Sequence, residues 1–223
     1  MKKSEHQKQQ RKVGFVMKAR YIARITFVLL MIISICFNSV FKFLTLNLFL
    51  AYIPFELCLL LKLFKPKRNI EWPLFIIFML VFLFMVPNTL YMVTDLIHLK
   101  QFNFNFYQGL EIQEWVYFTF LIISVLLALY LLTIMYLELE HFTHNLLMNK
   151  LLILVIMFLN GLGIFIGRFL RLHSVYLINE PLPIIQKVLT SLNFESFSFI
   201  LLLVILQIII YAFAKGVRSV NES

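Results

Sequence analysis

Six apolar stretches, near residues 21–40, 46–64, 72–91, 115–136, 151–170 and 197–213, dominate this chain. Each is close to the length of about 20 residues that a helix needs to cross the hydrocarbon of a bilayer. Six of them in 223 residues leave only short connections, so no separate soluble domain fits between them. The composition agrees, with 61% hydrophobic and 14% charged residues. A soluble domain averages roughly 45–50% apolar and about 25% charged. The expected fold is therefore an all-α, polytopic bundle of about six transmembrane helices, in which residues 25–214 form the membrane domain, 1–24 a basic arm and 215–223 a tail.

Charge predicts the orientation. Eight Lys and Arg residues lie in the arm of residues 1–24, four about the connection of spans 2 and 3, one between spans 4 and 5, and two in the C-terminal tail. The other connections hold one, one and three, which gives 15 against 5. The excess of basic residues on cytoplasmic loops then places both termini in the cytoplasm of a cell membrane, as a multi-pass protein. No small-residue cleavage pattern follows the arm, so the first span is expected to remain. The arm reads as a topology signal in contact with anionic lipid headgroups rather than as a nucleic-acid contact. Cys36 and Cys58 both fall in apolar spans and supply neither a disulfide framework nor a metal site.

Two polar clusters interrupt the oily sequence. One runs from Pro87 to His98, the other from Gly167 to Ser174. With the termini inside, both clusters face outward and can meet. Residues Asn88, Tyr91, Asp95 and His98 follow the 3-4-3 spacing that makes a single helical stripe. Pro87 is expected to kink or restart the helix there, and Thr94 or Asp95 is alternatively placed to cap a short new helix. Arg168 and Arg171, three apart, offer two guanidinium forks to a phosphate or carboxylate. The competing readings are an ion pair with Asp95, Glu111, Glu114 or Glu180 that locks spans together, and snorkelling toward lipid phosphates. Gly163 and Gly167 have the small-residue spacing that lets membrane helices approach closely.

Glu56 stands near the centre of span 2, two residues after Pro54, where an ionised carboxylate is costly unless paired or hydrated. It is a functional candidate, with a protonated, hydrogen-bonded or Lys62-paired glutamate as the alternatives. Asp95, His98 and His173 could supply metal ligands, but their spacing is not a specific zinc signature, and no metal or cofactor is assigned. His141 and His144 fall on the inner side as a solvated loop. No Gly-rich phosphate loop, nucleophile elbow or His-Glu-x-x-His motif occurs.

Three segments, Asn47-Leu48-Phe49-Leu50-Ala51-Tyr52-Ile53-Pro54, Pro87 through Leu99, and Gly163-Ile164-Phe165-Ile166-Gly167-Arg168-Phe169-Leu170-Arg171, resemble the bacterial membrane family called domain of unknown function 1361. The resemblance covers roughly residues 45–182 and implies a polytopic bacterial membrane protein without an inherited activity. The family continues with an Asn-Ser-Trp-Asp type segment where this chain has His173-Ser174-Val175-Tyr176, which removes an amide and an acid. The Phe- and Lys-rich composition suits a low-GC Gram-positive source.

The leading expectation is an outward-facing site in which Arg168 and Arg171 bind an anionic or phosphate-bearing envelope lipid or ligand. Asp95 and His98, supported by Asn88 and Tyr91, would orient it or handle a proton. Alternatives are a small ion- or proton-coupled transporter or channel component using Glu56, an enzyme of lipid-linked substrates using Asp95 or His98 as acid or base, and a structural subunit of an envelope complex. The expected partners are the lipid bilayer and a second membrane protein or copy of this chain, not nucleic acid.

Overall fold

The computed structural model describes residues 2–36, 42–101, 110–171 and 181–220, and these are helical apart from short connections. Six helical segments are long and apolar enough to cross a membrane. The first, α1 (Lys2–Cys36), carries the basic arm into the first span without a break. Its apolar part begins at Met17, so Arg20 and Arg24 belong to the span rather than to a detached arm. Helix α2 (Lys42–Leu61) packs against α1. The hydroxyls of Ser34 and Thr45 bond between the two helices, and the Phe27 and Tyr52 rings stack 3.8 Å apart.

The third span is made in pieces. A single turn (Asn69–Glu71) leads into α3 (Trp72–Met85), which gives way to α4 (Pro87–Thr94) and then to a tighter 3-10 segment (Asp95–Gln101). Pro87 has no amide hydrogen, so the ladder breaks where the sequence predicts a kink. The side chain of Asn88 mends the break by donating to the Met85 carbonyl at 3.0 Å, while the Thr89 amide turns to Val86. Pro54 similarly deprives the Leu50 carbonyl of its helical donor within α2. One residue on, the Thr89 hydroxyl donates to the Ala51 carbonyl at 2.8 Å, which joins α2 to α4 beside the weakened turn.

The remaining spans are α5 (Ile112–Leu139), α6 (Leu146–Phe165) with a widened π turn (Ile166–Leu170), and α8 (Phe194–Val220). A short helix, α7 (Pro181–Ser191), stands between the last two and has no counterpart among the six expected spans. Helix α5 is the centre of the bundle, with 56% of its apolar window buried against 11% for α1. Leu131, Leu132, Met135 and Tyr136 of α5 meet Phe55 of α2 and Leu90 and Met92 of α4 in the core.

Close approaches are made through glycine. A methyl group on Gly163 would lie 2.6 Å from Pro87 Cγ, so α6 seats directly on the kink of the third span. At Gly161 it would meet Ile200 at 3.0 Å, which sets the contact of α6 with α8. Gly167 is looser, 3.6 Å from Tyr91.

Three buried amide and phenol groups also join α5, α6 and α8. Tyr136 donates to Gln207 Oε1 at 2.5 Å, and Asn160 Nδ2 donates to the same oxygen at 2.8 Å. Gln207 anchors the group by donating to the Met157 and Leu203 carbonyls.

Candidate functional site

The two polar clusters converge at one end of the bundle. Asp95, fully buried at the junction of α4 with the 3-10 segment, accepts from Arg168 Nη2 at 2.7 Å on Oδ1 and from Asn47 Nδ2 at 2.8 Å on Oδ2. Both carboxylate oxygens therefore hold a donor. Arg168 also reaches the Thr94 hydroxyl with Nε at 3.2 Å and Nη2 at 2.6 Å, and its guanidinium lies 4.2 Å over the Tyr91 ring. Thr94 in turn donates to the Tyr91 carbonyl at 2.6 Å, so its oxygen is aimed at the arginine by a bond to its own helix. Burial makes these contacts count for Asp95, which has no exposed surface and no water to fall back on.

Three spans contribute to this node. Asn47 comes from α2, Tyr91, Thr94 and Asp95 from the broken third span, and Arg168 from the π turn that ends α6. The widened turn displaces Arg168 relative to a regular helix, and the glycine contacts beneath it hold α6 against α4.

The remaining sequence candidates are placed differently. His98 Nε2 is 3.9 Å from Asp95, beyond hydrogen-bond distance, and its ring packs on Phe43 while Nδ1 faces Gln101. Asn88 serves the Met85 carbonyl and does not reach Arg168. Arg171 has left-handed backbone, φ 52, and is exposed, with no ion-pair partner among the described residues. His173 lies outside the described residues.

Glu56 lies at the opposite end, five residues before the close of α2. It is held in a two-pronged pair by Arg24, Nε and Nη2 each at 2.8 Å, with the Tyr52 hydroxyl as a further donor. The partner is Arg24 rather than Lys62. Lys62 instead shares Glu138 with Arg20, at 2.8 and 2.6 Å, and Lys215 pairs with Glu140 at 2.5 Å. These pairs gather the start of the first span and the end of the last at one end of the bundle, away from Asp95.

Sequence reasoning overlooked Asn47 as a site residue. Its signal was present, since it is a polar amide within an apolar span and opens the first of the three family segments. The pairing of Arg20 and Arg24 with acids 118 and 32 residues away carried no local signal.

Six apolar helices packed around buried polar nodes define a multi-pass, helical membrane protein. A family model described as "Protein of unknown function (DUF1361)" matches residues 46–210, most of the chain, and the protein belongs to that family. The match takes in Asn47, Asp95 and Arg168, and leaves Arg20 and Arg24 outside. Searches of curated proteins and of solved structures return no match.

Proposed function

We propose that this membrane protein recognises an anionic, phosphate-bearing lipid headgroup at the outer face of a cell membrane through Arg168 and Arg171. The observation that carries the reading is the way Arg168 is held. Its Nε and Nη2 edge is fixed by Thr94 and Asp95, whereas Nη1 has no bond among the described residues and the side chain keeps 19% exposure. A guanidinium clamped on one edge with another edge open is preorganised for an anion, which lowers the ordering cost of binding. Arg171, exposed three residues later, supplies a second cation within reach of the same headgroup. In this arrangement Asp95 and Asn47 orient the arginine and take no part in proton transfer. The outward orientation rests on the distribution of basic residues.

The test is a titration of the full chain in detergent with short-chain phosphatidylglycerol, phosphatidylcholine and inorganic phosphate, read by native mass spectrometry. Phosphatidylglycerol is expected to bind and Arg171→Gln to weaken it by about tenfold, near 1.4 kcal/mol. Phosphate binding alone would point to a free anion as the ligand. Equal binding by Arg171→Gln refutes the site, as does labelling of a cysteine at 171 from the cytoplasmic side only.

A second reading draws on the completeness of the Asp95 node. With both oxygens satisfied, Asp95 and Arg168 form a lock between spans, which suits a structural subunit of an envelope complex. Co-purification of a stoichiometric partner, with no lipid selectivity, favours that reading.

A further inference from the structure

The short helix α7 (Pro181–Ser191) is too short to cross a bilayer, at 11 residues or about 16 Å against roughly 30 Å of hydrocarbon. It is nevertheless two-faced. Leu182, Ile185 and Leu189 recur at the i, i+3, i+7 spacing of one helical face and stand 78%, 48% and 63% exposed. Lys187 and Thr190 occupy the other side and Gln186 borders the apolar face, all three exposed. The polar side makes no tertiary bonds among the described residues, because the Thr190 and Ser191 hydroxyls fold back onto the carbonyls of Gln186 and Lys187. None of the substantial packing contacts of the bundle involves this helix.

We infer that α7 lies flat in the headgroup layer at the Asp95–Arg168 end of the bundle, with Leu182, Ile185 and Leu189 covered by lipid acyl chains. The tether decides the occupant. Only Leu192 and Asn193 separate α7 from the final span, a reach of about 7 Å at full extension. The junction is stiffened where Ser196 N–H donates to Asn193 Oδ1 and Asn193 N–H donates to Ser196 Oγ, each at 2.8 Å. A helix held that close to the start of a membrane span stays at the interface. The apolar surface also continues through the turn, since Leu192, Phe194 and Phe197 are 43%, 86% and 57% exposed. Lipid covers those side chains of the span, and α7 presents its apolar face to the same phase. Interfacial helices of this kind sit about 5–10 Å into the headgroup and acyl boundary. Its position does not depend on the anion reading.

The test uses the full chain with Cys36→Ser and Cys58→Ala, reconstituted in vesicles of phosphatidylcholine and phosphatidylglycerol. Single cysteines at Ile185, Leu189, Lys187 and Thr190 are spin-labelled, and collision rates with oxygen and with a water-soluble nickel complex are compared. Oxygen is expected to exceed nickel at 185 and 189, with the order reversed at 187 and 190. Nickel exceeding oxygen at all four positions would place the helix in water and overturn the inference. Protection of 185 and 189 from both reagents would overturn it too, by showing that protein, such as a second copy of the chain, covers the face. Failure of either kind leaves the phosphatidylglycerol titration of Arg171→Gln unaffected.

Discussion

Replacing Arg168 with Met should be among the most damaging single changes to this bundle. Asp95 has no exposed surface, so its charge is met almost wholly by Arg168 at 2.7 Å and Asn47 at 2.8 Å. With charge centres roughly 4 Å apart, the attraction is worth about 4 kcal/mol at an effective dielectric of about 20. Removing one partner of a buried pair typically costs about 3–5 kcal/mol, because the other charge is left stranded. One amide from Asn47 restores about 1 kcal/mol of that, which leaves about 3 kcal/mol for Arg168→Met. Asp95→Asn alone strands the cation instead, but Arg168 keeps the Thr94 hydroxyl and the Tyr91 ring, so about 2 kcal/mol is expected. The double variant removes both charges and should fall short of the sum by about 2 kcal/mol. The measurement is equilibrium unfolding in mixed micelles or bilayers, followed by the fluorescence of Trp72 and Trp115. An Arg168→Met effect under about 0.5 kcal/mol, or strict additivity in the cycle, refutes the claim that this pair bears load between the spans.

Gly163→Ala should destabilise by about 1–3 kcal/mol, since its new carbon meets Pro87 at 2.6 Å, while Gly167→Ala, with 3.6 Å to Tyr91, should change unfolding little. Equal effects at the two glycines would contradict the packing described. Gln207→Leu takes the acceptor from the Tyr136 hydroxyl and leaves Asn160 Nδ2 only the Tyr136 oxygen, at 3.2 Å, and should cost about 1–2 kcal/mol. Asn160→Leu should cost less in the same unfolding measurement, because Asn160 Oδ1 is buried without a partner and its removal offsets part of the loss.

The spans were legible because a bilayer imposes a length on apolar sequence, and six runs of that length leave little choice of fold. The break at Pro87 was legible for a similar reason, as a missing amide hydrogen acts on its own helix whatever surrounds it. Helix α7 escaped notice although its spacing was in the sequence, because a search for spans passes over 11 residues. Arg20 and Arg24 were counted for the side of the membrane they mark. Their pairing with Glu138 and Glu56 depends on how α1 packs against α2 and α5, which no local pattern encodes.

The polar stripe shows where spacing arguments fail. Asn88, Tyr91, Asp95 and His98 share a face only if one regular helix runs through all four. The chain restarts at Pro87, so Asn88 and Tyr91 share α4, but it tightens at Asp95 from 3.6 to about 3.0 residues per turn, which cuts the stripe there. Tyr91 and Asp95 remain neighbours at Arg168, while Asn88 turns back to the Met85 carbonyl and His98 stops 3.9 Å from Asp95. The arginine spacing is altered in a similar way: a regular turn would stack Arg171 on Arg168, but a π turn carries Arg168 and Arg171 itself has left-handed backbone, φ 52. The tightening at Asp95 and the π turn at Arg168 fall on the pair itself, so the backbone departs from regular helix at the place where three spans must bring single polar groups to one point.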